Sequence, residues 1–136
     1  ENNIVYSSDM GIGKVAGISL DPNTGEMKVA WTIDATSSSF MPLIGPKDKR
    51  VLLFSVMSPG ANEAPVMQTL LSGKYTEQVN WRDAAAGRLH AETDHFEPLT
   101  PGALLTPGFG GRIYYPSGHG FIVLQVVPGS VPGEGA

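Results

Sequence analysis

The chain reads as an all-β protein built from short antiparallel strands. Three observations say so: strand-like runs recur along its whole length, helical periodicity is nearly absent, and 17 Gly and 11 Pro among 136 residues punctuate it with turns. Charged residues make up 16% of the chain, against about 25% in an average soluble domain. Many turns with few charges suit short, half-buried strands better than helices with solvated faces.

The strands are expected, in order, at residues 3–7, 14–20, 26–33, 50–56, 76–81, 88–93, 112–115 and 121–127, with two weaker runs at 40–44 and 103–106. β-branched and aromatic residues carry them, as in Ile4-Val5-Tyr6, Val51-Leu52-Leu53-Phe54 and Phe121-Ile122-Val123-Leu124. The one helical candidate, 64–71, is short and carries Pro65 near its start. Residues 128–136, rich in Gly and Pro, read as a flexible tail.

The connections repeat. Asp21-Pro22-Asn23-Thr24-Gly25 separates two strands, and Asp83-Ala84-Ala85-Ala86-Gly87 does so 62 positions later. An Asp opening a tight turn accepts hydrogen bonds from its own downstream backbone, and a Gly closes the turn where φ must be positive. The segments beyond the two turns also correspond: Met41-Pro42-Leu43-Ile44-Gly45 before Arg50-Val51-Leu52-Leu53-Phe54 matches Leu104-Leu105-Thr106-Pro107-Gly108 before Arg112-Ile113-Tyr114-Tyr115.

Composition narrows the function classes. A net charge of −4 and no basic patch argue against nucleic acid as a partner. The longest apolar stretch, 121–127, has the length of a strand, well short of the ~20 residues of a membrane-spanning helix. With no cysteine, disulfides, thiolate metal ligands and a thiol nucleophile are all excluded. Gly11-Ile12-Gly13 and Gly108-Phe109-Gly110-Gly111 lack the following helix that a phosphate loop needs.

The segment 102–124, a Gly-rich strand followed by Gly-Arg-Ile-Tyr and Gly-Phe-Ile-Val-Leu, resembles three successive strands of a blade in the PQQ-like (quinoprotein) β-propeller repeat family. The Asp-x-x-x-Gly turns are similar to the centre of that family's tryptophan-docking motif. The family's Trp falls four residues after the Gly, at Val29 and Ala91 here, whereas Trp31 stands two further on and the second copy has none. The family's Ala position holds Ser19 and Trp81.

With blade strands lettered a to d outward from the axis, residues 1–127 parse as b-c-d, a-b-c-d and a-b-c. This is an incomplete propeller of about two and a half blades, to be completed by another protein chain or a longer parent. The resemblance implies a secreted or periplasmic quinoprotein-like oxidoreductase subunit, with PQQ or a transition metal such as copper as the cofactor to consider. The competing readings are a non-catalytic propeller scaffold and a metal-dependent propeller enzyme.

In such a blade the d–a and b–c connections share one end of the sheet, where ligand sites commonly lie. The parse puts residues 9–13, 35–39, 57–74, 94–97 and 116–120 at that end. His95 and His119 fall there in one blade, with Asp94 and Glu97 as neighbours, a set whose imidazole and carboxylate chemistry suits copper, zinc or iron. The alternative is that all four are ordinary loop residues. His90 reads as a solvent-facing strand residue, Ser37-Ser38-Ser39 as a polar connection, and Trp31 and Trp81 as packing between blades.

Overall fold

The computed structural model describes residues 2–98, 104–117 and 120–125, and about half of these are in strands. The fold is all-β. A first sheet contains β1 (Ile4–Asp9), β2 (Lys14–Leu20) and β3 (Met27–Asp34), ordered β1-β2-β3. A second contains β4 (Leu43–Ile44), β5 (Val51–Ser58), β6 (Thr76–Asp83) and β7 (Leu89–Glu92), ordered as numbered. A third contains β8 (Thr106–Pro107), β9 (Arg112–Ser117) and β10 (Gly120–Gln125), again in sequence order. Every described pairing is antiparallel, so each sheet is a meander and none closes into a barrel.

The strong strand runs all form within the described residues, the last as far as Gln125, with 126–127 lying outside them. The two weak ones shrink to two residues each, β4 and β8, and both carry proline within or beside them, which removes a ladder N–H. Helix is confined, among the described residues, to α1 (Val66–Ser72) and a 3-10 turn at Phe109–Gly111. Pro65 caps the start of α1, and Gly73 ends it at φ 64, a left-handed conformation that glycine adopts without a Cβ penalty. Residues 128–136, expected as a tail, lie outside the described residues.

The second sheet lies between the other two, and the alternation of β5 explains how. Leu52 and Phe54 face the first sheet and pack with Val15, Trp31 and Ala35. Leu53 faces the third sheet and packs with Val79, Trp81, Leu105, Ile113 and Tyr115. A strand buried on both sides needs a continuous apolar run, and Val51–Phe54 supplies it.

Two edge strands, β3 and β7, each carry a bulge. Gly17 faces Trp31 while Ile18 faces Val29, so Ala30 is extra; Trp81 faces Ala91 while Arg82 faces Leu89, so His90 is extra. Without the bulge, residues 29 and 31 would share a face. With it, Val29 stays on the outer face of the first sheet and Trp31 turns inward to the second.

Candidate functional site

The two Asp-x-x-x-Gly turns have one backbone design. Asp21 N–H donates to Glu26 O at 2.9 Å and Gly25 N–H to Asp21 O at 2.8 Å; Asp83 N–H donates to Arg88 O and Gly87 N–H to Asp83 O, both at 2.8 Å. The carboxylates complete the turns, with Asn23 N–H on Asp21 Oδ1 at 2.8 Å and Ala86 N–H on Asp83 Oδ1 at 2.7 Å. The backbone N–H groups of Asn23 and then Thr24, bonded to it, hold the Asp21 carboxyl below its ordinary value.

The second turn grips the first sheet. Trp31 Nε1–H donates to Ala84 O at 3.2 Å and Tyr6 O–H to the same oxygen at 3.0 Å. The indole lies so close to Gly17 and Gly87 that a Cβ at either would sit 2.5 Å or 2.7 Å from ring atoms. Arg82 steadies the turn from behind, donating to Asn80 Oδ1 and to Gly87 O. Trp81 lies on the other face of the second sheet, within the core shared with the third. Both tryptophans therefore join neighbouring sheets.

At the opposite strand ends an open groove of about 340 Å³ forms. The 76–83 strand alone separates the two ends by roughly 23 Å at about 3.3 Å per residue. Loops from both sheets converge on the groove: Gly13, Asp34–Thr36, Val56–Ser58, Gly60–Glu63, Gln78 and His95. Thr36 is its brace. This buried residue accepts Ala61 N–H on Oγ1 at 2.8 Å and Met57 N–H on its carbonyl at 2.8 Å. Glu63 Oε2 accepts Gly60 N–H at 2.9 Å, closing the loop after β5 on itself.

Of the four expected site residues, only His95 lines this groove among the described residues. Its Nδ1 lies 3.0 Å from Thr76 Oγ1, which orients the ring. Asp94 and Glu97 are exposed on either side, and His119 lies outside the described residues. Among the described residues no three His, Asp or Glu side chains gather closely enough to hold a metal ion. His90, partly exposed on the bulge of β7, has Nε2 3.8 Å from Asp83 Oδ2. The 37–39 serines are more enclosed than a surface connection: Ser37 and Ser39 are buried, and Ser39 Oγ accepts Ser55 N–H at 2.8 Å.

One polar feature has no counterpart in the expected site. Glu77 is 2% exposed, and its Oε2 accepts the Tyr115 hydroxyl at 3.2 Å across the second and third sheets. Burial, reinforced by the Glu77 carboxylate, raises both Tyr115 and Tyr75 above the ordinary tyrosine value. The signal lies in the period-two face Tyr75, Glu77, Val79, Trp81, where one acid interrupts an inward apolar row. Thr36, Glu63 and Gln78 carry no comparable signal, since only the tertiary approach of two sheets brings them together.

Comparison with protein-family models, curated proteins and solved structures finds no match for this chain.

Proposed function

We propose that the three meanders are successive blades of a β-propeller of the quinoprotein-like repeat type, completed by further blades, and that the groove end is its ligand-bearing end. The observation that carries this reading is the Trp31 interlock: an indole from the last strand of one meander clamped against the turn of the next. The meander order and the grouping of alternate connections at opposite strand ends agree with it. A depression of about 460 Å³, lined by Tyr6, Ser7, Ser8 and residues 38–41, adjoins β1, which pairs only with β2 among the described strands. An inner strand of the first blade belongs there.

The activity we assign is that of a subunit or segment of a secreted or periplasmic oxidoreductase. Its support is the likeness of segment 102–124 to quinoprotein blades, with His95, alone among the described histidines, lining the groove. The described groove residues do not compose a metal-ligand set. A metal-dependent enzyme would need His119 or residues of adjoining blades beside His95, Asp94 or Glu97. The scaffold reading draws on a different observation, the apolar outer faces of the first and third sheets, where Val29 is 64% and Phe121 78% exposed. The visible absorption spectrum of the native, fully assembled protein separates the readings. Quinone, copper or haem-linked bands are expected for the oxidoreductase. A spectrum without them, together with a metal analysis showing none, rejects it in favour of the scaffold.

A further inference from the structure

We infer that the groove end of the molecule is the docking surface for a basic partner protein, whose lysine and arginine side chains enter the groove while its apolar centre covers α1. The surface is built from the described loops alone, so it does not depend on how many blades the molecule has. Charge is sorted by end. Lys28, Lys47, Lys49, Arg50, Arg82, Arg88 and Arg112, seven of the nine Lys and Arg residues, lie in or beside the turns opposite the groove, interspersed with Asp21, Glu26, Asp48 and Asp83. At the groove end Asp9, Asp34, Glu63, Asp94 and Glu97 are all exposed, and the Lys residues there are Lys14 and Lys74. Lys14 is already ion-paired with Asp34, which leaves the carboxylates of this end in excess. Asp34 and Glu63 line the groove itself, beside Asn62, Gln78 and His95.

An apolar patch stands at the same end. Both flanks of α1 are tied to the groove: Gly60–Glu63 line it upstream, and downstream Thr76 Oγ1 lies 3.0 Å from Nδ1 of His95, which also lines it. Val66 follows Glu63 by three positions and Thr76 follows Ser72 by four. At about 3.5 Å per residue these short leads keep α1 within roughly 10–15 Å of the groove. Thr69 of α1 is buried, whereas Met67 and Leu71, one helical turn apart on one face, are 64% and 83% exposed. Hydrogen bonds from Glu63 and Ala64 N–H to Gly60 O, and from Ala61 N–H to Thr36 Oγ1, fix the connection that holds them in the open. Ile12, 60% exposed beside Gly13 of the groove, is a further apolar side chain at this end.

The combination selects the partner. A small cation would satisfy the groove carboxylates but has no use for Met67 and Leu71. A membrane surface or a nucleic acid is anionic and is repelled by this end. A protein face with an apolar centre and a basic rim meets both features, and opposite charge speeds the encounter.

Fluorescence anisotropy of the native assembly with two labelled helical peptides, one of Leu and Lys and one of Leu and Glu, tests the surface. The Leu/Lys peptide is expected to bind at least about tenfold more tightly, and to weaken several-fold as salt rises from about 0.05 to 0.2 M. Met67→Ser with Leu71→Ser, and separately Asp94→Asn with Glu97→Gln, should each weaken it by at least about fivefold, whereas Glu26→Gln at the opposite end should not. Each replaced side chain is exposed, so the fold is kept. Equal affinity for the two peptides, full affinity in either double variant, or an equal loss in Glu26→Gln overturns the docking surface and leaves the propeller reading standing.

Discussion

Trp31 spans two sheets with one side chain, and its contribution divides into parts that substitutions separate. Trp31→Ala removes the ring from between Gly17 and Gly87 and should cost about 3–5 kcal/mol in chemical denaturation. Trp31→Phe keeps most of the apolar contact and loses the N–H to Ala84 O, which Tyr6 still serves, so about 1 kcal/mol is expected. Equal losses for the two variants would show that the ring is not packed as described. Tyr115 supplies a pH signature. Its ionisation is disfavoured in the folded state by burial and by Glu77, so its stabilising contribution is complete below about pH 10 and lost as pH rises through the raised folded value. Denaturant midpoints measured upward from pH 9 should fall steeply above pH 10, and Tyr115→Phe should flatten that fall. Residues differ in how far the sequence reveals them. The tryptophans are legible because large rings in strands must bury their area. Glu77 is not, because its face becomes an interior only when the third sheet packs on the second.

At the scale of elements, the Asp-x-x-x-Gly turns are the most legible feature, since their conformation is set locally by one carboxylate and one glycine. Asp83→Ala removes the acceptor of Ala86 N–H and loosens the seat of Trp31, so about 1 kcal/mol of destabilisation is expected. In turn 21–25 the lowered Asp21 value means that the carboxylate's support persists below the ordinary carboxylate range and is lost as pH falls through the folded value. An NMR titration should show the Asn23 amide shift following the Asp21 carboxyl, with a midpoint below 3.8. A midpoint at or above that value would mean the turn does not hold the carboxylate. The bulges at Ala30 and His90 are not legible. A bulge depends on pairing register, and it alone puts Val29 and Trp31, two positions apart, on opposite faces of the first sheet. The strands β4 and β8 are shorter than their apolar runs for a related reason, because Pro42 and Pro107 limit pairing in ways that such a run does not reveal.

For the whole molecule, the all-β class follows from composition and strand signals, while the groove at one end comes from the convergence of loops that the sequence names only singly. The three described sheets stack with one polarity, each turning the face that holds its tryptophan, where it has one, toward the next. That order leaves Val5, Met27 and Val29 open at one end of the stack and Tyr114, Phe121 and Val123 at the other. Surfaces of this kind template association unless covered. Whether the stack is incomplete is tested most directly by sedimentation velocity of the isolated 136-residue chain across a wide concentration range. Concentration-dependent association or aggregation through these faces is expected. A sharp monomer boundary that does not move with concentration, joined to a cooperative melt, would contradict an incomplete stack and show that the three sheets are sufficient by themselves.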